Sequence, residues 1–254
     1  MALFTDGPVS DITDLAAQDT QLLNVASVEG IDVTQKLLLA QNELSMELDG
    51  LLDGAGSTGW EVCGSGQIDL GRVVVTPALK LWHTYRALEI VYRDAYSSQL
   101  NDRYSAKRDQ FAERARWAYE KLVQLGIGMC RYPVPQAAVP MMGGVPGGLA
   151  NGTYYVTMAW VNDAGEEGAP AKMTAFTTLA SSFLVQPSAP PTFARAWNVY
   201  VGASPEDMAI QNESPIAVQD PWLQPDTLVT GGRGPGCGQS PNYTKPVPRR
   251  ILRG

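Results

Sequence analysis

Tyr132-Pro133-Val134-Pro135-Gln136-Ala137-Ala138-Val139-Pro140-Met141-Met142-Gly143-Gly144-Val145-Pro146-Gly147-Gly148 divides the chain into two differently patterned halves. Its prolines and glycines are too frequent for a helix, and its valines and methionines too apolar for a freely solvated linker. The stretch is therefore expected to lie against a surface. Upstream of it the apolar residues recur at helical spacing, and downstream, from Gly152, they alternate. The pattern predicts an α+β multidomain chain: an N-terminal α-helical bundle over 1–131, a Pro/Gly linker over 132–151, an antiparallel β-sandwich over 152–231 and an extended C-terminal arm over 232–254.

In the upstream half, Ser10 followed by Asp11 and Asp14 reads as a capped helix start, with Ile12, Leu15, Leu22 and Leu23 as a rough apolar stripe. Asp32, with Gln35 three residues on, opens a second helix whose Leu37, Leu38, Leu44, Leu48, Leu51 and Leu52 carry it to about Gly54. Residues 53–71, with six glycines, read as a flexible loop or a small hairpin. Thr76-Pro77 starts the third long helix, because proline at the first helical position forfeits no intrahelical bond. Asn101-Asp102 breaks the run and Ser105 restarts it, ending at Gly126. These last two helices are expected to pair antiparallel. Their aromatics Trp82, Tyr85, Tyr92, Tyr104, Phe111 and Trp117 are expected to pack within the bundle or between subunits.

In the downstream half, alternation sets Tyr154, Val156, Met158 and Trp160 on one face of a strand, and Asn162-Asp163-Ala164-Gly165-Glu166 is a hairpin turn. Further strands are expected over 172–179, 182–185, 197–201 and 214–218. Tyr154, Val156, Trp160, Trp197 and Val199 are the expected core. Beyond Gly231 the chain is Gly/Pro-rich and ends basic, with Arg249, Arg250 and Arg253 around Ile251 and Leu252, and no core of its own is expected there.

The chemistry classes are narrowed by what the 254 residues contain. The formal charge of −7 is uneven: residues 1–71 carry twelve acids and one base, and residues 72–131 eleven bases and six acids. That balance argues against bulk nucleic-acid coating. It allows either a solvated basic helix face or a basic face that meets an acidic protein surface. Cys63, Cys130 and Cys237 are far apart and show neither a disulfide framework nor zinc spacing. With no secretory leader and no apolar run of membrane length, the expectation is a soluble chain made in a reducing compartment, its three Asn-X-Ser/Thr triplets being chance matches.

His83 is the single histidine, which limits triads, zinc sites and most acid–base pairs; a packing or surface role is expected for it. Glycine-rich 54–71 lacks the Lys-Ser/Thr ending of a phosphate loop. Asp163, Glu166 and Glu167 could approach a calcium ion, but read more simply as turn acids. No pair of carboxylates suggests a glycosidase. The expectation is a protein without catalytic residues, cofactor or metal, hence not an enzyme.

Two stretches carry resemblances. Gly152 to Pro170, with Pro190-Pro191 and Trp197-Asn198-Val199-Tyr200-Val201-Gly202, resembles the fibronectin-III/immunoglobulin-like modules of tailed-phage structural proteins. Leu81-Trp82-His83 and Gln99-Leu100-Asn101-Asp102-Arg103-Tyr104, with the helix that follows to Gly128, resembles the head–tail connector (adaptor, head-completion) proteins of tailed bacteriophages. The second resemblance implies a homo-oligomeric ring of about twelve copies at the neck of the virion, made in the bacterial cytoplasm. Such a ring joins the portal protein to tail or nozzle proteins and continues the channel close to packaged DNA, with no membrane partner. It also implies that Arg249, Arg250, Ile251, Leu252 and Arg253 form a portal-docking arm, in which apolar residues anchor and arginines pair with acids. The alternative is a tail-fibre or baseplate module whose β-sandwich binds host glycan or protein, a reading that exposed aromatics such as Trp160 or Trp222 would favour.

Overall fold

The computed structural model describes residues 1–55, 69–99, 102–179 and 181–246. It is α+β: five α-helices come first and antiparallel sheets follow. The chain forms two compact units, Gly7–Met129 with the chain from Pro241 onward, and Cys130–Ser240 with Met1–Asp6.

The helical unit contains α1 (Ile12–Gln18), α2 (Leu22–Glu29), α3 (Val33–Ala55), α4 (Pro77–Gln99) and α5 (Ser105–Leu125). Asp11, not Ser10, caps α1: its carboxylate accepts from the Asp14 amide at 2.9 Å while Asp14 reaches back to the Asp11 amide at 3.0 Å. The Ser10 hydroxyl is taken instead by His83. Asp32 opens α3 as expected, accepting from the amides of Thr34 and Gln35. Along α3, Val33, Leu37, Ala40, Leu44, Leu48 and Leu52 are buried, one continuous stripe at three- and four-residue spacing.

Thr76 and Pro77 start α4, the Thr76 hydroxyl accepting from the Leu79 amide. This helix touches α1, α2, α3 and α5, so it is buried nearly all round rather than on one stripe. Ring contacts run in reverse order along α5: Tyr92 meets Tyr104 and Phe111, Tyr85 meets Phe111, and Trp82 meets Tyr119. That order makes α4 and α5 antiparallel. Each aromatic pair adds about 0.5–1.5 kcal/mol beyond its area burial. Trp82, Tyr85, Tyr92, Tyr104 and Phe111 are all buried. Trp117 departs from the expected bundle packing, being half exposed, because it falls between the buried positions Ala115 and Ala118 and off the stripe they continue.

After α5 the chain turns at Gly126, whose φ of +102° suits glycine, into β1 (Ile127–Met129). β1 pairs antiparallel with β10 (Asn242–Thr244), Met129 opposite Asn242 and Ile127 opposite Thr244. The residues expected as a free arm therefore return in part to the helical unit, an ordering by long-range pairing that local composition does not reveal.

The other unit holds β2 (Met141–Pro146), β3 (Gly152–Val161), β4 (Thr174–Thr178), β5 (Ser181–Gln186), β6 (Ala196–Gly202), β7 (Ala209–Ile210), β8 (Ile216–Ala217) and β9 (Trp222–Leu223). One sheet has the order β4-β3-β6-β7 with β8 also on β6, and the other the order β2-β5-β9. β2 lies inside the stretch expected as a linker. It is a strand because its whole length pairs with β5, from Met141 opposite Gln186 to Pro146 opposite Ser181. The two sheets share a core in which Phe183 of β5 meets Tyr154 of β3 and Phe176 of β4. Tyr154, Val156, Trp160, Trp197 and Val199 all lie in that core.

Residues 232–240, expected to be part of the extended arm, are held to this unit at two points. Arg233 binds Glu167 through both terminal nitrogens, and buried Gln239 accepts from the Val134 amide at 2.7 Å while donating to the Tyr132 carbonyl and Glu166. A buried amide with its donors and acceptors engaged fixes a glycine-rich segment that has little apolar surface to bury.

Candidate functional site

The expected portal-docking residues Arg249, Arg250, Ile251, Leu252 and Arg253 lie outside the described residues, as do residues 56–68 of the loop expected over 53–71, whose first residues instead continue α3 to Ala55. Among the described residues no group of three or more His, Cys, Asp or Glu could hold a metal ion, and no helix is long and apolar enough to cross a membrane. Cys130 is buried and Cys237 exposed.

His83 is fully buried on α4 and works as a structural clasp. Its Nε2 lies 3.1 Å from the Leu37 carbonyl, which can only accept, so this nitrogen carries the proton. Its Nδ1 then accepts from the Ser10 hydroxyl at 2.6 Å. Burial lowers its pKa to about 4, outweighing the bond to Leu37, and the neutral ring ties the start of α1 to α3 and α4.

Asp19 is a second clasp that sequence periodicity does not reveal. Its carboxylate accepts from the Tyr92 hydroxyl at 2.6 Å, from Lys107 and from the Gln21 amide, joining the α1–α2 corner to α4 and α5. Burial pushes its pKa up, but these donors more than offset it and the group stays below the usual carboxylate range.

In the β unit the three turn acids separate to different partners. Asp163 pairs with Arg195 at 3.0 Å, Glu166 accepts from Asn162 and Gln239, and Glu167 accepts from Arg233, Tyr200 and Asn198. The calcium option suggested by their spacing has no shared geometry behind it. Beside Glu167 lies a hollow of about 510 Å³ bordered by Asn198, Asn212, Arg233 and Gln239. Its buried polar side chains are satisfied by one another. Trp160 is buried, and Trp222 packs against Phe183, so neither stands free as a stacking platform.

The helical unit presents a different surface. Between α3, α4 and α5 runs a groove of about 480 Å³, floored by Leu44, Trp82 and Ala115 and rimmed by Met46, Glu47, Arg116 and Tyr119. Glu43 and Glu89 share Arg86 at its edge, at 2.6 and 2.7 Å. A smaller apolar hollow of about 310 Å³ lies between α1 and α3, beside Ile12, Leu37 and Leu38. Met46 and Trp117 are 68% and 50% exposed, large apolar surface for a soluble helix to leave in water. The groove residues on α3 were not foreseeable as a site, since Met46 and Glu47 look like any solvated helix face. Trp117 carried a signal, being out of phase with Phe111, Ala115, Ala118 and Leu122.

No protein-family model, curated protein or solved structure matches this chain.

Proposed function

We propose that the chain is a structural virion protein of a tailed bacteriophage, a head–tail connector that forms a ring of about twelve copies between portal and tail and continues the DNA channel. The observation that carries this reading is the pairing of β10 with β1. It returns Asn242–Thr244 to the helical unit, against the strand that follows α5, and an arm that continued from there would have a suitable origin for reaching a neighbouring ring. The exposed apolar residues of α3 and α5 support assembly further, because repeated weak contacts suffice when ring symmetry multiplies them.

In this reading the β unit is an immunoglobulin/fibronectin-III-like sandwich that projects from the ring toward tail, capsid or host surface. Its two antiparallel sheets around Trp160, Trp197 and Phe183 support that fold. The tail-fibre or baseplate alternative is the weaker reading, since the tryptophans that would have stacked on glycan serve the core. The test is the mass of the purified chain, alone and with portal rings, by native mass spectrometry. A monomer that becomes about twelve copies on the portal supports the connector, and a trimer indifferent to portal overturns it. Deleting residues 246–254 is expected to leave a folded protein that no longer joins the portal.

A further inference from the structure

We propose that the subunit contact of the ring is head-to-tail, the Trp117 stripe of one copy seating in the α3–α4–α5 groove of the next. This rests on the ring reading above and names its interface. On α5, Ala112, Arg116 and Tyr119 line the groove, whereas Arg114, Trp117 and Lys121 form a second stripe. At 100° per residue the centres of the two stripes are roughly 160° apart. A subunit therefore cannot fill its own groove. Faces so nearly opposite on one helix cannot both be covered by a single neighbour, so the pairing is heterologous, the type that builds rings when its rotation closes.

Chemistry matches across the contact. The groove contains three carboxylates, Glu43, Glu47 and Glu89, against two guanidinium groups, Arg86 and Arg116. Glu47 lies near enough to Tyr119 to add to the rise in its pKa that burial begins. The opposing stripe carries Lys121 and the half-buried Arg114, whose guanidinium also lies 5.8 Å from the Tyr85 and Phe111 ring centres of its own subunit, with Glu113 and Glu120 set toward the crest between the two faces. Tyr119, backed by buried Trp82 at 5.1 Å between ring centres, offers an aromatic face to the incoming Trp117, while Met46 supplies an adaptable apolar rim. An indole in a pocket ringed by charge is the usual composition of an interface hot spot.

The test uses the full chain in three forms: wild type, Trp117→Ala, which keeps the groove, and Met46→Arg, which keeps the stripe and sets a cation against it. Both altered residues are exposed, so each variant is expected to fold with unchanged helical ellipticity and melting temperature. Native mass spectrometry, in solution and on portal rings, is expected to show wild-type assembly and a loss of association on the order of thirtyfold in either variant alone. Mixed together, the two variants retain one intact stripe and one intact groove between them and are expected to form a dimer that grows no further. Wild-type assembly left unchanged by both substitutions, or a mixture that pairs no better than either variant, overturns this interface and leaves the ring reading standing. A wild type that stays monomeric with and without portal overturns both.

Discussion

Lowering the pH from 7 to 5 is expected to weaken the helical unit through His83. Its folded pKa of about 4 lies below the ordinary value of 6.5, so the unfolded chain binds the proton more tightly. Stability is then complete above the unfolded value and is lost as pH falls from about 6.5 toward 4. The separation of the two values corresponds to about 3 kcal/mol in full, of which about 2 kcal/mol falls between pH 7 and pH 5. Asp19, whose carboxyl is held below its ordinary value of 3.8, loses its contribution only at lower pH. Urea unfolding followed by helical ellipticity at the two pH values measures the loss. His83→Gln is the control, since an amide can donate to Leu37 and accept from Ser10 without titrating. A loss of the same size in His83→Gln refutes the assignment, and so does a wild type indifferent to this pH change.

Two further outcomes follow from close contacts. Asp19→Ala strips the buried Tyr92 hydroxyl of its acceptor and Lys107 of its ion pair, and is expected to cost about 2–4 kcal/mol in urea unfolding. Gly128→Ala would place a Cβ 2.5 Å from the Thr76 methyl and 2.8 Å from the Pro241 Cβ; it is expected to cost about 1–3 kcal/mol and to speed proteolysis of the β10 segment.

The helices were legible because their signals are local. Asp32 with Gln35, Thr76-Pro77 and Gly126 mark boundaries within a few residues of themselves, and α3 shows its buried stripe directly. The alternation around Tyr154 and Trp160 was legible for the same reason. What stayed hidden depends on distant partners. β2 looked like a linker because Met141–Pro146 has no alternation of its own and becomes a strand through β5, some forty residues on. Gln239 and Arg233 looked like arm residues because the groups they satisfy, Tyr132, Val134 and Glu167, lie 66 or more positions away. Either Ser10 or Asp11 can serve as the cap of α1, and only the nearness of His83 decides between them. The expected docking residues 249–253 lie outside the described residues, and the groove of the helical unit depends on three helices brought together.

The pairing of β1 with β10 makes the β unit an insertion in the helical one, and this has a consequence for its removal. Met129 stands directly opposite Asn242, and facing residues of antiparallel strands have Cα atoms about 4.5–5.5 Å apart. Residues 130–240 therefore leave and return at nearly one point, and an Asn-Gly link joining Met129 to Pro241 would leave β1 and β10 as a hairpin with a three-residue loop. A chain lacking 130–240 is expected to keep the helical ellipticity of α1–α5, the His83 dependence on pH and, on portal rings, the ability to assemble. The alternative excision of 150–231 would leave β2 without β5 and would cut the segment that Gln239 holds, so it is expected to give an aggregating product. If the 130–240 deletion unfolds the helices, the β unit is part of their stability rather than an insertion; if it folds but no longer assembles, the ring contact lies in the β unit and the groove on α3, α4 and α5 has another use.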